Sequence, residues 1–114
     1  MNIDTFLQQL NNAPDSISFE DTMSLIDTTY DFKPAEFNNG SQLNAENQNN
    51  GSCKIFAFAQ LNKISEEQTL HCFGDYYRKD VLENPQNDDH LNIRNFMQTG
   101  WSGISFSTLP LTKK

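Results

Sequence analysis

Two side chains in this sequence of 114 residues could act as a nucleophile and its base: Cys53 and His90. A thiol at a helix N-terminus has a lowered pKa, because the helix dipole favours the thiolate. Ser52 reads as an N-cap, which would put Cys53 directly behind it. A histidine delivered from elsewhere in the fold would then take the proton. The plainer reading is a buried cysteine acting as a small hydrophobe and a histidine satisfying a loop. No P-loop, no Gly-x-Ser-x-Gly and no paired-carboxylate motif accompanies the pair.

A second constellation is Asp88-Asp89-His90 with Arg94. His90 and Arg94 lie one turn apart near an expected helix N-terminus, where an anion is welcome. Asp89, His90 and Arg94, joined by Arg78 and by Asn49 from an asparagine-rich loop, are therefore the candidate ligand-binding residues. The competing reading makes Asp88 or Asp89 a simple N-cap. No metal site is expected, because no second histidine stands at ligand spacing and Arg94 would repel a cation. No cofactor is expected either. His71, Asp75 and Arg78 recur at i, i+4 and i+7, a spacing that serves a solvated helix face as well as a binding one.

The totals narrow the partner. The formal net charge is −7, which argues against nucleic acid and against an anionic membrane surface. An unknown protein or a small anionic ligand is the expected partner, and the chain is expected to be a monomer. The two cysteines show no Cys-x-x-Cys spacing and read as core residues of a reducing compartment. The start of the chain lacks a basic, then apolar, signal pattern, and no run reaches the ~18 apolar residues of a membrane span. The expected location is the cytoplasm.

The elements that must position these residues follow from spacing. Ile3, Phe6, Leu7 and Leu10 predict an amphipathic helix over 2–12. Ser18 and Asp21 predict a capping box, with Phe19, Met23, Ile26 and Tyr30 as the buried stripe. Asn39-Gly40 is a turn signal. Six of the thirteen residues from 38 to 50 are Asn, and they are expected to form an ordered loop rather than a disordered linker. Gly51–Leu61 is apolar almost all round, so it is expected to be a central buried helix, with a buried strand as the alternative. Ser65 predicts the start of a helix running to about Leu82, with Leu70, Phe73, Tyr77 and Val81 buried and Gly74 allowing close approach of another backbone. A last helix buries Ile93, Phe96 and Met97 and ends at Gly100. Segments near 31–37 and 103–109 are expected to pair as a minor β element. The fold class expected is mainly α: one domain over 1–112 of about five helices around a central apolar helix, with a frayed tail at 113–114.

Four strings carry a family resemblance: Asp31-Phe-x-Pro-x-x-Phe-x-Asn-Gly, then Gly51-Ser-Cys-Lys-Ile-Phe-Ala-Phe-Ala-Gln-Leu, then Thr69-Leu-x-Cys-Phe-Gly-x-Tyr-Tyr-Arg-x-Asp-Val-Leu, then Asp89-His-x-Asn-Ile-Arg-Asn-Phe-Met-x-x-Gly-Trp. Together they resemble the HopJ type III effector family over nearly the whole chain. The resemblance implies small proteins without an established activity, and injection into a host cell by family name only. It also implies glycine where this chain has Asn47 and Asn87, so both are expected in left-handed turns. Thr108-Leu-Pro-Leu departs from the implied glycine-containing ending, which leaves the packing of the last residues open. The first helix is expected to begin by residue 3 without a spare leader, which favours a resident cytoplasmic protein.

Overall fold

A computed structural model describes residues 2–114. Helix α1, Ile3–Asn12, is capped by Asn2, whose Oδ1 accepts from the Thr5 N–H at 2.8 Å. It buries Phe6 and Leu10 and stops before a 3-10 turn at Pro14–Ser16. Helix α2, Phe19–Thr29, opens with the expected capping box: the Asp21 N–H donates to Ser18 Oγ at 3.0 Å, and the Ser18 N–H to Asp21 Oδ2 at 3.1 Å. Thr22, Leu25 and Ile26 are its buried face, while Phe19 and Met23 are half-buried.

Tyr30 leaves the helix and starts strand β1, Tyr30–Phe32. Strands β2, Phe37–Asn39, and β3, Gln42–Asn44, form a hairpin closed by Gly40 and Ser41, with Gly40 at φ +61°. Positive φ suits glycine there. Strand β4, Ile104–Phe106, pairs antiparallel along the other edge of β2, and β5, Leu111–Lys113, pairs with β1. Of the expected pairing of 31–37 with 103–109, Phe37 does meet Phe106 in the β2–β4 pair, but β1 pairs with 111–113, beyond the expected segment. Pro34 lies between β1 and β2, where a residue without an N–H cannot continue a ladder. The tail expected to fray is tied instead: Lys113 pairs with Tyr30, and the Lys114 N–H donates to the Thr29 carbonyl at 3.0 Å.

Helix α3, Asn50–Leu61, buries Cys53 and the run Ile55–Ala59. Phe56 is fully buried; its ring centroid lies 4.9 Å from Phe96, 5.6 Å from Phe73 and 6.2 Å from Phe37. Phe58, also fully buried, meets Phe6 at 5.7 Å and Tyr30 at 6.1 Å. Burying each ring contributes about 2–3 kcal/mol. These rings tie α3 to α1, β1 and β2, to the turn that holds Phe73 and to the last helix, which holds Phe96.

Helix α4, Glu66–His71, starts at Ser65 as expected, with the Gln68 N–H on Ser65 Oγ at 3.1 Å. The single helix expected to run to Leu82 does not form. The chain turns at Cys72–Gly74 and resumes as a π-helix over Tyr76–Val81. The physical reason is Gly74. It sits at φ +63°, and a Cβ there would lie 2.6 Å from the Phe19 backbone nitrogen. The close approach expected of this glycine is present, and it breaks the helix. Helix α5, Leu91–Thr99, buries Asn92, Ile93 and Phe96 and ends at Gly100, φ +57°. Met97, expected in the core, is 45% exposed. The result is a mainly α domain with two small sheets.

Candidate functional site

A groove of about 620 Å³ opens where the first turns of α3 and α5 meet the turn after α4. One wall is aromatic. Phe19 and Tyr76 pack edge to face with centroids 5.1 Å apart, Tyr76 and His90 follow at 5.2 Å, and Phe73 also lines the groove. At Gly51 an added Cβ would lie 3.0 Å from the Phe19 ring, which would have to give way by a few tenths of an ångström. The lining also includes the polar residues Gln42, Asn49, Asn92 and Asp88.

Both helices enter this groove without a side-chain cap. The expected caps are wrong in both places. Asn49, not Ser52, precedes α3, and His90, not Asp88 or Asp89, precedes α5. Asn49 lies at φ +54° and His90 at φ +50°. Ordinary N-caps are extended, which lets a short polar side chain turn back onto the first N–H groups. Left-handed backbone removes that option, and the first-turn donors keep no partner within the helix. The donors in question are the backbone N–H groups of Asn50, Gly51 and Ser52 and of Leu91 and Asn92.

A buried asparagine network holds the two helix starts together. Oδ1 of Asn44 accepts from Nδ2 of Asn49 at 2.7 Å, from Nδ2 of Asn92 at 3.0 Å and from Nε2 of Gln42 at 3.2 Å. Oδ1 of Asn92 accepts from Asn39 at 3.0 Å and from Asn44 at 3.2 Å. Asn39, Asn44 and Asn92 are all buried. The Asn-rich segment is therefore ordered, and it builds part of the groove wall.

The sequence candidates scatter around this framework. Asn49 and His90 line the groove. His90 Nε2 lies 3.1 Å from Asp80 Oδ2. Asp89 and Arg94 are absorbed by each other: Arg94 Nη2 donates to Asp89 Oδ1 at 2.6 Å, and Nε to the Asp89 carbonyl at 2.6 Å. The guanidinium holds the Asp89 carboxyl below the usual carboxylate range. Arg78 is a clamp on main chain. It donates to the carbonyls of Pro14 and His71, each at 3.2 Å, and to that of Ile17. The break at Gly74 also ends the His71, Asp75, Arg78 helical face, although Arg78 still meets His71.

Cys53 does not line the groove that His90 lines. It is 1% exposed, with Sγ 3.9 Å from the Ala35 carbonyl oxygen. Burial pushes its thiol pKa up, opposite to the lowering expected for a residue next to a cap. Cys72 is pushed up further, to about 12, also by burial.

Sequence reasoning missed Asn44, Asn92 and the aromatic pair Phe19 and Tyr76. The asparagine run was visible, but its composition resembles a surface loop as closely as a buried network. Tyr76 depended on a helix break that spacing does not reveal.

Among the described residues, no helix is long and apolar enough to cross a membrane. No curated protein matches the chain. A crystal structure described as that of the unknown function protein VPA0580 is similar to it, with TM-score 0.98 and 56% identity, covering 100% of this chain and 95% of that one. The sequence pattern of the HopJ type III effector protein family matches residues 3–111. With that match over nearly its whole length, this chain belongs to the HopJ type III effector protein family.

Proposed function

We propose that this protein is a monomeric, non-enzymatic binding module whose groove captures a small anionic ligand. One observation carries the reading: two helices begin on the same groove, uncapped, each behind a left-handed non-glycine residue. Such backbone costs about 1 kcal/mol or more per residue and persists where surrounding structure enforces it. Here the Asn44 network supplies part of that enforcement. Uncapped first-turn N–H groups and the two helix dipoles favour negative charge at this place. Both cysteines are free and buried, which supports the cytoplasm as the working location. The family description brings delivery into a host cell as the other location.

The test is a titration of ¹⁵N-labelled protein with sodium acetate against sodium chloride at matched ionic strength. Saturable shifts at the amides of Gly51, Ser52, Leu91 and Asn92 are expected with acetate. Small shifts spread over the surface, equal for both salts, would refute the reading. Ser52→Asp supplies a built-in anion to the α3 terminus. It should raise stability by about 0.3–1 kcal/mol and weaken acetate binding.

A further inference from the structure

We infer that the groove selects a singly charged carboxylate joined to an apolar, ring-sized body, and selects against phosphate. This rests on the anion-binding reading above and gives its ligand a chemical class.

None of the groove-lining residues is Lys or Arg. Nearby cations are engaged elsewhere: Arg94 holds Asp89, Arg78 holds main-chain carbonyls, and Lys54 pairs with Asp27 at 2.8 Å. His90 is bonded to Asp80. The donors left for an anion are neutral: backbone N–H groups and the hydroxyls of Ser52 and Tyr76, with Asp88 also in the lining. A phosphate monoester carries about 1.5–2 negative charges and draws its affinity largely from Arg or Lys. Its second charge would meet Asp88 and a chain of net charge −7 without a compensating cation. A carboxylate brings one charge and two acceptor oxygens, which neutral donors can satisfy.

A groove of about 620 Å³ lies within the roughly 300–1,000 Å³ of small-ligand sites and far exceeds a bare carboxylate. Phe19, Phe73 and Tyr76 line the remaining space, and Tyr76 is 41% exposed. An exposed ring beside unfilled volume gains by covering with another apolar group, most of all a flat one. A free carboxylic acid and the C-terminal carboxylate of a peptide present the same chemistry.

The experiment extends the amide titration to 3-phenylpropionate, 3-phenylpropanamide, inorganic phosphate and a short acetylated peptide ending in phenylalanine, as free acid and as amide. Expected is a saturable response at Gly51, Ser52, Leu91 and Asn92, with 3-phenylpropionate binding about tenfold or more tighter than acetate, about 1.4 kcal/mol. Tyr76→Ala should weaken 3-phenylpropionate while leaving the acetate response in place; retained amide dispersion checks that the fold survives losing the ring's contacts with Phe19 and His90. Either carboxylate source binding supports the inference, and the tighter of the two identifies the source. Equal affinity for acetate and 3-phenylpropionate overturns the apolar-body requirement while leaving the anion site standing. Equal affinity for the carboxamides overturns the carboxylate requirement, and tighter phosphate binding overturns the charge selection. Silence from every anion removes the anion-binding reading and this inference together.

Discussion

Asn44 and Asn92 hold each other by a reciprocal pair of side-chain hydrogen bonds. Nδ2 of Asn92 donates to Oδ1 of Asn44 at 3.0 Å, and Nδ2 of Asn44 donates back to Oδ1 of Asn92 at 3.2 Å. One residue ends the β hairpin and the other lies in the first turn of α5. Asn44 also receives Asn49, the residue ahead of α3. The pair therefore sets where the two helix starts stand relative to the sheet.

Replacing Asn44 by Ala should cost about 1–3 kcal/mol, because the buried Asn92 amide loses its acceptor and the exposed Asn49 loses its partner. Urea unfolding measures this. The groove amides of Gly51 and Leu91 should broaden in the same variant. A loss below about 0.5 kcal/mol would mean the network is replaced by water at little cost.

Gly74→Ala should destabilise the fold by more than 1 kcal/mol, roughly, since φ +63° is unfavourable for alanine and the added Cβ meets main chain at Phe19. Gly100→Ala is a useful comparison. Its φ is also positive, but the obstacle is the Glu66 carboxylate, a movable side-chain end. The cost there includes the bond from the Trp101 N–H to Glu66 Oε2, now 3.0 Å. Thermal unfolding of both variants should rank Gly74→Ala as the more damaging.

Neither cysteine should alkylate readily at neutral pH in the folded protein, and both should react once it is unfolded. The sign of the pH dependence follows from the raised thiols. A group with a higher pKa folded than unfolded stabilises the fold below the unfolded value and loses that contribution as pH rises. For Cys72 the window runs from the ordinary value of 9.0 to about 12, so the urea midpoint should fall across it. Fast labelling of Cys53 at mildly acidic pH would revive the Cys53 and His90 nucleophile reading.

Arg94→Ala should return the Asp89 carboxyl toward its ordinary value of 3.8, because the guanidinium is the main cause of its depression. An NMR pH titration of Asp89 reads this directly. The depressed carboxyl favours the folded state above its unfolded pKa, and this is lost as pH falls through the folded value. Acetate-induced shifts at Gly51 and Leu91 should persist in the variant. Their disappearance would return Arg94 to the ligand-binding set.

Local chemistry made much of this protein readable from the chain. The capping serines Ser18 and Ser65, the turn at Asn39-Gly40 and the stop at Gly100 all stand where residue type requires, because each satisfies main chain within a few residues of itself. Asn47 takes the left-handed turn expected of it, at φ +70°, whereas Asn87 does not. What spacing did not determine depends on contacts across tens of residues. The helix ending at His71 instead of Leu82 follows from the Ser18–Phe19 backbone pressing on Gly74. The starts of α3 and α5 follow from Asn44, which reaches Asn92 from 48 positions away. Cys53 behaves as core rather than as a nucleophile because burial raises its thiol, and burial belongs to the assembled fold. A cap is written within one turn of sequence, whereas a buried amide network or a desolvated thiol exists only after distant segments have closed around it.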